Sequence, residues 1–148
     1  MNEHVIAARI ALANTFVYYF KAQSYHWNVK GMLFPQLHDF FGDLYAEIYG
    51  AVDPLAEEIR ALGELAPRSL DEIYQYKTVD GSNSASDAHA MVADLLAAND
   101  KTIESLNKLF GLLNTANEQG FADFVAGRLD AHKKHGWMLR AILENSGE

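Results

Sequence analysis

The stretch from Ser24 to Arg60, SYHWNVKGMLFPQLHDFFGDLYAEIYGAVDPLAEEIR, decides how the rest of the chain is read. Two histidines, His26 and His38, bracket a polar turn from Asn28 to Gly31. Fifteen residues after His38, Asp53 and Glu57 follow at helical i, i+4 spacing. Imidazoles grouped with carboxylates, and no thiolate among them, are the donor set of iron-type or zinc-type chemistry.

Upstream of the turn, Ile6, Ile10, Ala13, Val17, Phe20 and Ser24 recur at steps of three and four, which predicts a helix capped by Asn2 and running to about Asn28. Gly31 is free to take a positive φ, and Pro35 stands where a first helical turn tolerates proline. Downstream, Leu37, Phe40 or Phe41, Leu44, Ile48, Val52, Leu55 and Ile59 form the stripe of a second helix ending near Gly63. Pro54 lies inside it, where the missing donor and the ring's pressure on the Gly50 carbonyl cost ~3 kcal/mol. The stripe keeps its phase on both sides, so a kink rather than a break is predicted.

Beyond Glu64 the pattern loosens around Pro67, Gly81 and a run of Ser, Asn and Asp, although Ser69 and Glu72 in capping-box spacing predict a short helix from Leu70 to Tyr76. Ser84 or Ser86 then opens a third long helix, with Met91, Leu95, Ile103, Leu106, Phe110 and Leu113 on its face, ending around Asn117 to Gly120. A last helix carries Phe124, Val125, Leu129, Trp137 and Ile142 and stops after Leu143, with no disordered tail expected at either end. Four long helices, short links within each half and a longer central connection read as an all-α four-helix bundle with a short helix in that connection, the ferritin-like arrangement.

Composition bounds the function. At 148 residues and 49% hydrophobic content the chain is one domain, 1–148, able to bury its own core. The absence of cysteine removes disulfides, thiolate zinc sites and cysteine nucleophiles together, leaves only nitrogen and oxygen ligands for any metal, and suits a cytoplasmic location. The first residues lack a charged n-region and a small-residue cleavage site, so no secretory signal is expected, and no apolar run approaches the ~20 residues that span a bilayer. A formal charge of −8 argues against a general hold on phosphate backbones.

Asp53 and Glu57, one turn apart on one face, can reach one metal ion or two neighbouring ions. His38 lies on the same helix but ~22 Å away along its axis, so it cannot share a metal with them within one chain. If the four residues form one site, two copies of the second helix lie antiparallel across a two-fold axis, His38 of one subunit facing Asp53 and Glu57 of the other. His26, at the end of the first helix, is expected to sit beside His38.

HWNVKG, then LH twelve residues after the first histidine, then D-x-x-x-E ahead of an arginine and ALG, together with WMLRA at 137–141, resemble the mini-ferritins of the Dps family (DNA-binding protein from starved cells) over nearly the whole chain. The resemblance implies a hollow dodecamer built from two-fold dimers. At the dimer interfaces it implies ferroxidase centres that oxidise Fe(II), preferably with hydrogen peroxide, and store ferric mineral inside. His26, His38, Asp53 and Glu57 match the family's ligands for iron, for which zinc can substitute. Where the family usually carries a further carboxylate, four residues after the second histidine, this chain has Gly42. Asp43 points about 100° away around the helix, and one well-held iron per site is more secure than two. DNA-binding members commonly use a mobile basic tail; here Arg9 is the only early base, and no strong duplex binding is expected.

Other readings stand beside this one. Trp27 either takes up an oxidising equivalent or lines the pocket. His4, His89, His132 and His135 read as surface or bundle residues, with His132 and His135 able to join Lys133 and Lys134 in a weak anion patch. Two rival functions are a Dps-like cage whose oxidase activity is weak or lost through Gly42, and an enzyme with a di-metal centre inside each bundle. The latter ranks last because no Glu-x-x-His motif occurs.

Overall fold

The computed structural model describes residues 2–144, so the expectation of ordered ends lies at its extremes outside the described residues. The helices are α1 (Glu3–Asn28), α2 (Phe34–Ala61), α3 (Leu70–Tyr76), α4 (Ala88–Thr115) and α5 (Gln119–Leu143). No strand occurs among the described residues. α1 packs on α2 and α4 on α5, and α1 against α4 joins the two pairs.

The local signals act largely as read. Gly31 (φ 106°) and Gly63 (φ 91°) take the left-handed conformation beside the two ends of α2, where a Cβ would be strained. α2 continues through Pro54 without a break. The Ser69 hydroxyl accepts from the Glu72 amide at 3.2 Å, as the capping box requires, while Glu72 reaches past Ser69 to the Arg68 amide at 3.1 Å. Two starts differ. Asp87, rather than Ser84 or Ser86, caps α4, its carboxylate accepting from the Ala90 amide at 2.8 Å, because an Asx side chain at that position reaches the third amide directly. Asn2 stands at the N-cap of α1, yet its side chain makes no capping hydrogen bond.

Burial corrects the faces. On α2 the stripe Leu37, Phe41, Leu44, Ile48, Leu55 and Ile59 is buried as predicted. On α1 Ile6 and Phe20 are exposed, and the buried set, from Val5 through Tyr25, wraps most of the helix. Such a helix has no narrow stripe to read, since it packs against α2, α4 and α3 at once. Trp137, placed on the apolar face of the last helix, is 63% exposed, and α5 turns His132, His135 and Gly136 inward instead.

The core falls into two apolar clusters at opposite ends of the bundle, one around Tyr18, Phe41, Ile48 and Leu95, the other around Leu12, Leu55, Ile59 and Leu109. Each fully buried Leu or Ile contributes roughly 1.5–3 kcal/mol. The connection between α3 and α4 is tied to α1 by two buried polar side chains. Asn14 accepts from the amides of Thr78 and Val79 at 2.8 and 3.0 Å, and Lys21, 1% exposed, donates to the carbonyls of Asp80 and Ser82 at 2.8 and 2.6 Å and pairs with Asp94 at 2.9 Å. This carries the chain from the far end of α2 back to the start of α4, which makes α2 and α4 parallel.

Candidate metal centre and a buried polar belt

The turn between α1 and α2 brings His26 and His38 together, as expected. Their rings stack with centroids 3.9 Å apart and planes 16° from parallel. His26 Nδ1 lies 2.6 Å from the backbone oxygen of His38, and His38 Nδ1 lies 2.7 Å from the backbone oxygen of His26. A carbonyl oxygen only accepts, so each Nδ1 carries the proton and donates. The lone pair is thereby left on Nε2 of both rings, the tautomer in which an imidazole binds a metal ion. Phe34 stacks on His38 (5.0 Å) and Tyr45 tilts against His26 (5.3 Å), so both rings are held by packing as well as by hydrogen bonds.

Gly42 gives His26 its seat. A Cβ at that position would lie 3.1 Å from the His26 Cε1 and Nδ1 atoms, closer than ordinary contact. Glycine at this position therefore lets the imidazole lie against α2. Asp53 and Glu57 are exposed, far along α2 from this pair. Among the described residues no three His, Asp or Glu side chains are disposed to hold a metal within one chain. The two histidines and the two carboxylates thus lie at separate places on one subunit.

A second cluster was not legible in the sequence. Midway along the bundle, Tyr18 of α1, Glu47 of α2, Asn99 of α4, and Arg128, His132 and His135 of α5 form a polar belt between the apolar clusters. Glu47 accepts from Arg128 Nη1 and Nη2 at 2.5 and 2.9 Å and from His135 Nε2 at 2.8 Å. His132 Nδ1 donates to Asn99 Oδ1 at 3.0 Å, and Asn99 Nδ2 donates back to the His132 carbonyl at 2.9 Å. Gly136 permits this close approach, since a Cβ there would meet Asn99 Nδ2 at 3.2 Å. Burial pushes the Glu47 carboxyl up, but the hydrogen bonds and charges of His135 and Arg128 outweigh it and hold the group well below the usual carboxylate range. Burial first, then the positive Arg128, hold His132 well below its ordinary value, so it is neutral. The anion patch with Lys133 and Lys134 does not form: both histidines are buried, and exposed Lys134 pairs with Asp130 at 3.3 Å. The belt's partners on different helices lie 33 to 117 residues apart, and an odd excess of His and Arg on one face of α5 was its only trace in the sequence.

The model of the ferritin-like domain matches residues 9–146. General stress protein 20U of Bacillus subtilis is 31% identical over 97% of this chain and 99% of its own. DNA protection during starvation protein 2 of Bacillus anthracis is 28% identical over 97% and 99%. The crystal structure of Dps from Staphylococcus aureus superposes with a TM-score of 0.91 at 29% identity, covering 97% of both chains. The chain belongs to the ferritin-like family, as a mini-ferritin of its Dps branch. No helix among the described residues is long and apolar enough to cross a membrane.

Proposed function

We propose that the protein is an iron-sequestering mini-ferritin that oxidises Fe(II) at sites shared between subunits. His26 and His38 of one chain face Asp53 and Glu57 of another, and the ferric product is stored as mineral in a hollow dodecamer in the cytoplasm. The observation that carries this reading is the reciprocal tie between the two imidazoles, which leaves both Nε2 lone pairs over for a ligand. The exposed apolar side chains around the same end, Trp27, Met32, Leu33 and Phe34, with Tyr49 further along α2, support a second copy seated there.

The donor set suits the chemistry. Carboxylates neutralise the ferric charge and imidazoles hold Fe(II) without trapping the oxidised ion, which must leave for the cavity. With hydrogen peroxide as oxidant, two Fe(II) ions each give one electron, two protons are taken up, the O–O bond breaks, and two waters form. The missing carboxylate at Gly42 favours a second reading, a Dps-like shell with weak oxidase activity. Anaerobic loading with Fe(II), then peroxide, with mass by light scattering on the same sample, separates the two. Fast oxidation in a particle of about twelve subunits, lost in His38→Ala or Asp53→Ala, supports the first; an intact cage oxidising no faster than buffer supports the second.

Strong duplex binding is not part of this function. The formal charge is −8, and Arg9 is 8% exposed and pairs with Glu64 at 3.9 Å. A gel shift surviving ~150 mM salt would contradict this.

A further inference from the structure

We propose that the groove between α4 and α5, on the flank of α5 away from Glu47, is a binding site for a small tetrahedral oxyanion such as inorganic phosphate, held by Lys133 and Arg140. A cleft of about 290 Å³ opens there, lined by Ile103 and Asn107 of α4 and by Lys133, Gly136 and Arg140 of α5. No carboxylate among the described residues lines it. In a chain with 20 acidic residues against 12 Lys and Arg, a cleft charged by cations alone is not what composition supplies. The cleft on the opposite flank of α5 differs, with Glu47 and Asp130 standing beside Lys134.

The two cations are unspent and converge. Arg128 is paired with Glu47 and Lys134 with Asp130, whereas exposed Lys133 and Arg140 have no such partner among the described residues. They stand about two turns apart on one face of α5, with Gly136 between them. Helical side chains lean toward the N-terminus, and Arg140 does so over Gly136, where a Cβ would lie 3.0 Å from its Nη1 and 3.7 Å from its Cζ. The guanidinium is thereby drawn back along the helix to the side of Lys133, and the glycine leaves the floor between the two cations open. Beneath that floor, fully buried Asn99 brings its Nδ2 to 3.2 Å from the same point, the His132 carbonyl taking one of the amide's two hydrogens. A guanidinium offers two parallel N–H donors to two oxygens of one phosphate, and an ammonium adds a point charge for a third. At about 30 Å³ per water, the cleft has room for one such ion and a few waters. A nucleic-acid backbone calls for a stripe of cations, which this single pair does not supply. The site shares no residue with His26, His38, Asp53 and Glu57, so it stands independently of the oxidation reading.

Calorimetric titration of the assembled protein with inorganic phosphate, in a phosphate-free buffer with ~0.1 M sodium chloride to screen diffuse attraction, tests this. Saturable binding of about one ion per chain is expected, with Kd about 1 mM or tighter, and sulfate should compete. Lys133→Gln and Arg140→Gln should each weaken binding at least about tenfold, since each removes a charged donor. Lys134→Gln, the same charge change one residue away on the opposite flank, should leave Kd within about twofold. Circular dichroism and particle mass on the same samples show that each variant is intact, and if Arg140→Gln is not, Lys133→Gln carries the test. Absence of saturation overturns the proposal. So does equal weakening by Lys133→Gln and Lys134→Gln, the mark of diffuse surface charge. So, too, does loss of assembly in Arg140→Gln from a parent that binds no phosphate, which would place a carboxylate of a second copy in the cleft.

Discussion

The protein carries two histidine pairs, and they differ in what holds their ring nitrogens. In the pair at the α1–α2 turn, each Nδ1 is spent on the other residue's backbone carbonyl and each Nε2 is left over. In the pair within α5, the rings meet edge to face at 4.9 Å and all four nitrogens face side chains: Asn99 and Arg128 for His132, Tyr18 and Glu47 for His135. An imidazole tied to backbone by one nitrogen keeps the other for chemistry, whereas one partnered through both serves the fold. The same residue type therefore leaves two ring nitrogens over at one end of the bundle and serves as a structural joint at its middle.

The largest separation between the pairs should appear on removing a ligand at the turn. His38→Ala is expected to lower peroxide-driven Fe(II) oxidation at least about 100-fold in stopped-flow absorbance, the loss of some 2.7 kcal/mol of transition-state stabilisation, while Tm stays close to that of the parent. Glu47→Gln should do the reverse. Oxidation is preserved, but denaturant unfolding registers a loss of about 2 kcal/mol, since Arg128 and the His135 N–H lose the carboxylate they share and the figure is discounted for a side chain that is 43% exposed.

Acid sharpens the contrast. His132, buried neutral with its pKa lowered, binds a proton more readily in the unfolded chain, so stability should fall as pH drops through its unfolded value of about 6.5. Glu47, with its pKa lowered, contributes stability that is present above about 4.3 and lost as pH falls further. Tm followed from pH 7.5 downward should decline in that order. His132→Asn, which keeps a donor for Asn99, should flatten the upper part of the decline; an unchanged slope would remove His132 from the account.

A smaller effect is expected at the seat of the first pair. Gly42→Ala forces the His26 ring to give by a few tenths of an ångström, and the oxidation rate should fall by less than about tenfold. The smallest is at a helix start far from both pairs. Asp87→Ala removes the α4 cap and should cost about 1 kcal/mol in chemical denaturation, with oxidation unchanged.

How much of this was legible follows from sequence distance. His26 and His38 are twelve residues apart across a turn marked by Gly31 and Pro35, so local rules alone placed them together. The short helix Leu70–Tyr76 was readable for the same reason, through Ser69 and Glu72. The α1 face was misread because three neighbours bury most of its circumference, and periodicity reports a face only where one side stays wet. His132 and His135 sit among Lys133, Lys134 and Asp130 in the sequence, a context that reads as surface.

The order of helices, the ends of most of them and the pairing of His26 with His38 are properties of short stretches, set by backbone chemistry that acts over one or two turns. Which side of α1 and α5 turns inward, that Gly42 is the seat of an imidazole, and that Glu47 and Arg128 meet two histidines inside the bundle were decided only when four helices packed. Those contacts join residues up to 117 positions apart, and no local propensity carries information over that distance.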